Sequence, residues 1–408
     1  MCDLMNKTED EVAAIAAEYY SGKKSSSELI EEYHLEGKGK NRYIHNHLPP
    51  LKTTDKCVYC GNDIYFVYPS KTEANRCHGE KNVLDAYKCE KCGHMPFVDY
   101  CNCDSCNKKR EEEQKKKEEE LKAEQELQRQ ILQKKFPNPT AENCIEFNAI
   151  PDLEDRFIIG TVIKDTLDDS FSYAKSYDSK YDCRNHKSLT PSKKWDKEIY
   201  FNIIPKYFEV AGNSRLDAFG DVFDLEDFSY YPARVNWYPR FTDIIINKSL
   251  DNILSMPNLE SENDLIVILQ FWKRILLEEL IQDYITQMSE VGFVNYKIGE
   301  KTKNRLALLL EKMPLSKLVR IVYSTTTYAY RFYQSNDITK NHAANSVIGR
   351  TEAYVDKALK ENWEIKDSFR NCSQSALSIY FFHYIVPIFD KSFYTIPSID
   401  IIKKFYHV

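Results

Sequence analysis

CVYCG, residues 57–61, and KCEKCG, residues 88–93, each place two cysteines three positions apart, with a glycine after the second. This is the spacing of a metal knuckle, and the glycine lets the backbone turn so that amides point at the sulfurs. The 28 residues between Cys60 and Cys89 are enough for strands that bring the two knuckles together. Because soft thiolates in a tetrahedral set select zinc, we predict a structural zinc site at Cys57, Cys60, Cys89 and Cys92.

These two knuckles resemble those of the zinc-ribbon class over residues 55–98. The resemblance implies a small β-sheet module in which the metal replaces part of a hydrophobic core. A module of about 50 residues could hardly supply such a core alone. We therefore predict a zinc-binding module at residues 51–107.

Three further cysteines follow directly in YCNCDSC, residues 100–106. Eight of the chain's twelve cysteines lie between residues 57 and 106, so four remain once the first site is filled. Crowded thiols are reactive without a metal. We predict a second zinc site at Cys77, Cys101, Cys103 and Cys106, with His78 or His94 as substitute ligands. Two closed four-ligand sets leave no position for water, so neither zinc is expected to be catalytic.

The residues before the module predict short helices. Thr8 with Glu11, and Ser25 with Glu28, form capping-box patterns. The stretch IAAEYYSGKKSSSELIEEYHL, residues 15–35, resembles the helix-turn-helix units at the start of many transposases and bacterial regulators. That resemblance implies a recognition helix at residues 39–48. The residues expected to contact phosphates and base edges lie in this helix or just before it: Lys38, Lys40, Arg42, His45 and Asn46. The alternative is a helical hairpin docked on the zinc module.

The charge distribution is uneven along the chain. Residues 38–110 contain 13 Lys and Arg against 8 Asp and Glu, whereas residues 140–300 contain 17 against 28. A basic front in a chain of net charge −6 favours contact with DNA or RNA through the N-terminal part. The sequence shows no secretion signal and no apolar stretch long enough to span a bilayer. We expect a cytoplasmic protein that does not contact a membrane.

The rest of the chain is predicted to be mainly helical. Residues 108–136 are a charged run that we interpret as a helical stalk or as a frayed linker. Residues 140–260 mix strand-like runs, FIIGTVI and EIYFNII, with aromatic loops. Residues 261–408 show helical periodicity, with helices predicted at 264–292, 302–313, 315–334, 338–361 and 374–386. The predicted fold is multidomain and mainly α, with a helical region at 1–50 and with residues 140–408 forming either two domains or one.

Two of the predicted C-terminal helices carry polar stripes. If the stripes met, they would form a polar pocket for a phosphate or an acidic partner, made of Arg331, His342, Asn345 and Arg350. The alternative is two solvated helix faces. The sequence contains no phosphate-binding loop, nucleophile elbow or zinc-protease motif, which leaves open whether the chain is an enzyme.

The sequence supports three hypotheses of function. The first is a nucleic-acid-binding protein with two structural zinc ions, whose front half contacts DNA or RNA and whose helical C-terminal domain is an effector or scaffold. Module style alone suggests a bacterial mobile-element or antiviral (phage-defence) setting. The second is an enzyme with its site in residues 140–408, targeted by the zinc module. The third is a protein–protein adaptor that binds a partner through the zinc module or the helical C-terminal domain.

Overall fold

The structure, a computed structural model, describes Leu4 and residues 6–35, 42–181, 188–224, 228–259, 261–370 and 373–406. The chain divides into two compact units, residues 1–124 and residues 125–408. Most described residues are helical, and each unit contains one small antiparallel sheet. This confirms the predicted multidomain, mainly α class. Among the described residues, no helix combines the length and the apolar character needed to cross a membrane.

The first unit begins with two short helices, α1 (Glu9–Ser21) and α2 (Ser26–Glu32). Both start at the predicted capping boxes, in which the Thr8 and Ser25 side chains accept amide hydrogens from the third residue of the helix. α1 ends at Gly22, whose φ of 74° is a left-handed conformation that favours glycine. The two predicted front helices are therefore present.

The predicted recognition helix is not present in its described part. Lys38 and Lys40 lie outside the described residues, and residues 42–48 contain only a 3₁₀ turn at Ile44–Asn46. The side chains of Ile44 and Leu48 are buried in the core of the first unit. Pro49 and Pro50 follow at once, and proline disfavours the helical conformation of the residue before it.

The sheet of the first unit has strands β1 (Leu51–Lys56), β2 (Asp63–Phe66) and β3 (Tyr87–Cys89) in the order β1-β2-β3. Both pairings are antiparallel, with Leu51 opposite Phe66 and Ile64 opposite Cys89. Helix α3 (Lys71–Arg76) lies in the connection between β2 and β3. Aromatic and aliphatic side chains of this segment share one core with α1 and α2, among them Phe66, Tyr68, Val83 and Ala86.

Helix α4 (Asp104–Lys135) is the charged run of the sequence, and it begins four residues before the predicted start at residue 108. Its surface is almost entirely exposed and carries i, i+4 ion pairs such as Lys109–Glu113. Near its C-terminal end, Leu132 is fully buried in the core of the second unit. The backbone of Gly212 approaches this turn so closely that a Cβ there would lie 3.0 Å from the Leu132 carbonyl oxygen.

The second unit is built around helix α11 (Glu262–Glu290), which packs against α5 (Leu153–Thr166), α12 (Glu300–Leu310) and α13 (Leu315–Ser335). Its remaining helices are α6 (Tyr177–Lys180), α7 (Lys193–Glu198), α8 (Ile204–Tyr207), α9 (Thr242–Ile245), α10 (Asp251–Leu254), α14 (Lys340–Lys360), α15 (Ala376–Tyr380) and α16 (Ile399–Ile402). Strands β4 (Phe208–Val210) and β5 (Trp237–Pro239) form a two-stranded sheet.

The two strand-like runs predicted in residues 140–260 are helical. FIIGTVI lies within α5, where its residues are buried, because α5 packs against α10, α11 and α15. EIYFNII spans the end of α7 and a π-helical segment at Ile199–Ile203. Burial on several sides thus outweighed the β-propensity of branched residues. The helices predicted after residue 264 agree with α11 to α15 within a few residues, apart from a π-helical end at Phe381–Ile385.

We predict opposite effects of Gly→Ala substitutions at two helical positions of the second unit. A Cβ at Gly160 in α5 would lie 2.6 Å from the buried Tyr380 ring, whereas at Gly349 in α14 the nearest atom is Arg305 Nη2 at 3.7 Å. Gly160→Ala should lower the free energy of unfolding by about 1–3 kcal/mol through overpacking. Gly349→Ala should raise it by up to about 1 kcal/mol through helix propensity. Urea unfolding of the intact chain measures both, and equal effects would contradict the packing described.

Candidate metal centres

The first cysteine cluster brings together the four residues predicted from the two knuckles. The ligand atoms of Cys57, Cys60, Cys89 and Cys92 lie within 4.8 Å of one another. Individual sulfur–sulfur distances are 3.5 Å for Cys57–Cys92 and 3.4 Å for Cys60–Cys89. A tetrahedral ion with metal–sulfur bonds of about 2.3 Å needs sulfurs about 3.8 Å apart. The cluster is therefore close to the size that such an ion requires.

The two knuckles of this cluster have the same backbone hydrogen bonds. Gly61 N–H donates to the Cys57 carbonyl and Gly93 N–H donates to the Cys89 carbonyl, both at 2.9 Å. Cys57 N–H donates to the Asn62 carbonyl, and Cys89 N–H donates to the His94 carbonyl, both at 2.8 Å. The two glycines have φ values of 69° and 66°. Asn62 and His94 are thus equivalent positions, each directly after the glycine that closes a knuckle.

The side chains of these equivalent positions point to different clusters. The Asn62 amide donates to Cys60 Sγ at 3.3 Å and so belongs to the first cluster. The His94 imidazole lies instead with Cys101, Cys103 and Cys106, and the four ligand atoms fall within 4.8 Å of one another. His94 Nδ1 is 3.3 Å from Cys106 Sγ and 3.8 Å from Cys103 Sγ.

The second cluster corrects the predicted ligand set at one position. Cys77 belongs to neither cluster of potential ligands among the described residues, and His94 takes its place. Cys77 is the C-cap of α3, and its side chain packs against the apolar core shared with the front helices. Counting cysteines could not detect this. The signal that could have decided for His94 is its position directly after the Cys92–Gly93 turn.

Burial and ring packing hold the second cluster in place. Cys101 is 1% exposed and His94 is 7% exposed. The Tyr59 ring packs edge-on against the His94 ring, with ring centroids 4.8 Å apart. Met95 N–H donates to Cys101 Sγ at 3.2 Å. Sequence reasoning missed Tyr59 because nothing in the CVYCG spacing distinguishes a supporting aromatic from an idle one.

The second cluster also forms the N-terminal end of α4. Cys103 directly precedes the helix and its carbonyl accepts the Asn107 amide at 3.0 Å, while Cys106 lies in the first turn. Arg110, one turn later, donates to the carbonyls of Cys101 and Asp99 at 2.6 and 3.1 Å. The loop before the helix is therefore tied to the helix by both the cluster and one guanidinium group.

The thiols of the two clusters differ in acidity. The side-chain amide of Asn62 lowers the pKa of Cys60 to about 6, whereas burial raises the pKa of Cys92 to about 12. Burial also opposes ionisation of Cys101, yet amide donors from Cys103 and Met95 lower its pKa to about 6. Burial raises the pKa of Cys103 to about 11. Each cluster thus combines a thiol that ionises readily with one that stays protonated at neutral pH before a cation binds.

This arrangement is suited to a structural metal ion. One set offers four sulfurs and the other offers three sulfurs and one imidazole nitrogen, and either set fills a tetrahedral coordination sphere. A filled sphere leaves no position for a reacting water. The described residues can therefore hold two metal ions, and the closed ligand sets favour a structural over a catalytic role for them.

The other predicted site residues are not brought together in one site. Arg42 and Asn46 are exposed, and His45 is half-buried, with Nδ1 3.1 Å from the Tyr19 hydroxyl. In the C-terminal helices, Arg331, His342 and Asn345 are exposed and do not line the cavity that Arg350 lines. Arg350 instead stacks on Tyr328, 4.7 Å from the ring centroid. The predicted polar pocket of four residues is not formed.

The comparisons with known proteins identify no relative. No protein-family model, no curated protein and no solved structure matches the chain.

We predict two bound metal ions per chain and a ligand-specific loss of each. Cys57→Ser and Cys103→Ser should each lower the metal content from two ions to one, because each removes a thiolate from a different cluster. Cys77→Ser should keep two ions, since Cys77 is in neither cluster. Elemental analysis of the purified chain measures all three variants. Loss of one ion in Cys77→Ser would contradict the ligand sets described here.

We also predict that metal affinity rises with pH. The raised pKa values of Cys92 and Cys103 mean that both thiols are protonated at neutral pH before metal binds, and binding releases their protons. Between pH 7 and 8, each released proton makes the affinity of its site about tenfold higher, so each site should gain at least about tenfold. Competition with a chromophoric chelator measures this slope. A pH-independent affinity would show that the thiols are already ionised.

Proposed function

We propose that the first unit is a zinc-stabilised module that binds DNA or RNA. The donor sets support zinc, because sulfur and imidazole ligands in a tetrahedral arrangement are those that Zn²⁺ takes in structural sites. A bacterial mobile-element or phage-defence setting remains a hypothesis suggested by the resemblance of the front helices.

The observation that carries this proposal is a basic-aromatic surface, which we define as Arg42, Tyr43, His45 and Lys71. The Arg42 guanidinium lies 4.7 Å from the centroid of the Tyr43 ring, and the His45 ring stacks on the Tyr43 ring with the ring centroids 5.7 Å apart. The Lys71 ammonium lies 4.7 Å from the centroid of the Tyr19 ring. Interleaved cations and rings are the pattern that binds a nucleic-acid backbone while stacking on its bases.

Two elements of the first unit hold this surface in place. The Tyr19 hydroxyl, on α1, is 3.1 Å from His45 Nδ1 and accepts the Lys71 N–H at 3.2 Å. Lys71 is the first residue of α3, which lies in the segment between the two knuckles. The metal ions would therefore act on this surface indirectly, by fixing both ends of the segment that carries Lys71.

The members of the surface have different chemical roles. Tyr43 is 42% exposed and is the aromatic residue of this surface that a base would contact. Burial lowers the pKa of His45, so its ring is neutral at neutral pH and serves as a support for Tyr43 rather than as a phosphate ligand. Arg42 and Lys71 supply the positive charge, which agrees with the excess of basic residues in 38–110.

We predict salt-dependent binding of oligonucleotides that depends on the basic-aromatic surface. The full chain, loaded with zinc, should bind labelled DNA or RNA at about 50 mM salt and lose affinity at about 200 mM. Each phosphate contact adds about 0.7–0.9 to the salt slope, which is the steepness with which the logarithm of the binding constant falls with the logarithm of the salt concentration. Arg42→Ala should lower that slope by about 1. Tyr43→Ala should weaken binding to single strands by about 1–3 kcal/mol through lost stacking.

The matched control is Lys115→Ala, which removes one positive charge from an exposed position of α4 outside the surface. It should leave the affinity and the salt slope unchanged. The probes are single- and double-stranded DNA and RNA, followed by fluorescence anisotropy. If the zinc-loaded chain binds none of them at low salt, nucleic-acid binding is wrong. If Lys115→Ala and Arg42→Ala weaken binding equally, the surface is wrong.

A further inference from the structure

The second unit contains a cavity of about 840 Å³ that neither metal cluster explains. Five of its eleven lining residues are aromatic, three are cations, and two are the aspartates Asp178 and Asp196. A volume of this size lies within the range of small-molecule sites, roughly 300–1,000 Å³. We name it the aromatic cavity and define it by Tyr177, Asp196, Tyr200, Phe201, Tyr231 and the cations Lys193, Lys197 and Arg234.

A π-helical turn places two of the cavity's aromatic residues. Tyr200 and Phe201 lie in the π-helical segment Ile199–Ile203, and Pro205 follows two residues after it. Proline has no N–H with which to continue the i to i−4 ladder, so the helix widens before it. π-helical turns of this kind occur frequently at functional sites. This turn buries Tyr200 while leaving Phe201 59% exposed.

The floor of the cavity contains a buried hydroxyl group without a partner. Tyr200 is 2% exposed, and its hydroxyl has no hydrogen-bond partner within the described ranges. Next to it, both oxygens of Asp196 accept hydrogen bonds, from the Tyr177 hydroxyl at 2.7 Å and from the Thr190 hydroxyl at 2.6 Å. Leaving a buried hydroxyl unpaired is costly. The hydroxyl is itself fully buried, so a polar atom of a ligand would pair with it only after a neighbouring side chain moves aside.

The rim of the cavity combines exposed rings with positive charge. Lys193 and Lys197 lie one turn apart on α7, so both reach the same side of the cavity. The Arg234 guanidinium lies 5.1 Å from the Tyr231 ring centroid and forms an ion pair with Asp178 at 3.5 Å. Phe201 and Tyr231 are both more than half exposed. A planar ring can stack on them while its anionic group contacts the lysines.

We propose that the aromatic cavity binds a nucleobase that carries a phosphate. Stacking on Phe201 or Tyr231, charge pairing with Lys193 and Lys197, and a hydrogen bond with the Tyr200 hydroxyl together require an aromatic, polar-edged and anionic ligand. A nucleotide has all three properties. The nucleobase belongs either to a free nucleotide or to a single strand. The cavity lies wholly within the second unit, so this proposal does not depend on nucleic-acid binding by the first.

The experiment measures binding to the full, zinc-loaded chain by isothermal titration calorimetry. The probes are the four ribonucleoside monophosphates, the matching nucleosides, inorganic phosphate, and a single-stranded oligonucleotide of about eight residues. At least one monophosphate should bind at least about tenfold more tightly than its nucleoside, and also at least about tenfold more tightly than inorganic phosphate. Tighter binding of the oligonucleotide, with the same dependence on cavity residues, assigns the base to a strand, and equal or weaker binding assigns it to a free nucleotide.

Substitutions within the cavity separate the three contacts. The double substitution Lys193→Gln with Lys197→Gln should weaken binding of the monophosphate at least about tenfold and leave binding of the nucleoside unchanged. Phe201→Ala should weaken binding of both the monophosphate and the nucleoside, because both stack through the base. Tyr200→Phe removes only the hydroxyl and should weaken both about two- to tenfold. The charge-matched control is Lys297→Gln with Lys301→Gln, and the control for an exposed ring is Tyr323→Ala, which lies on α13.

The altered lysines and Phe201 are exposed, and Tyr200→Phe keeps the ring, so the variants should keep the thermal melting of the parent chain. The proposal is overturned if the natively folded chain binds no monophosphate, or if the lysine and Phe201 variants bind as well as their controls. Oligonucleotide binding that Arg42→Ala abolishes, with no effect of the cavity variants, would assign binding to the first unit and would also overturn it.

Discussion

The backbone carbonyl of His94 accepts the Cys89 amide in the first cysteine cluster, while its imidazole lies among the sulfurs of the second. The two clusters are therefore linked through one residue. The same residue follows β3 and precedes the loop that leads to α4, so the sheet and the long helix are joined at one point. We infer that the order of the first unit depends on this link, because its apolar core is small and bound metal would supply what burial cannot.

Spacing predicted the first cluster completely and the second in three of its four members. CxxC followed by glycine is a local pattern, so the sequence is sufficient to locate it. The fourth ligand depends on where a turn of the chain directs a side chain in space. Cys77 has the right chemistry, but as the C-cap of α3 it faces the apolar core. His94 differs in chemistry from the three cysteines of the set, yet it directly follows the second knuckle. The backbone of that knuckle already directs its imidazole towards the second cluster.

In the second unit the sequence predicted the long helices well and the segments before them poorly. Apolar residues of α11 to α14 recur with a helical period over many turns. FIIGTVI is apolar almost throughout, so it shows no alternation of apolar and polar residues that would distinguish a helix from a strand. Each of the two π-helical segments in the described chain ends two residues before a proline, Pro205 in one case and Pro387 in the other. A proline within an apolar helical run was the available signal, and it marks where the helix widens.

Two members of the second cluster lie at the start of helix α4, Cys103 just before it and Cys106 in its first turn, and this affects how the helix forms. The costly step for an isolated helix is nucleation, which fixes the dihedral angles of the first turn and carries a penalty of about 4 kcal/mol. A bound ion would hold that turn in place before any further hydrogen bond forms. Propagation along the charged residues that follow would then be favourable at each step. The metal site is thus a nucleation template, and the helicity of a tract with almost no apolar packing becomes linked to metal occupancy.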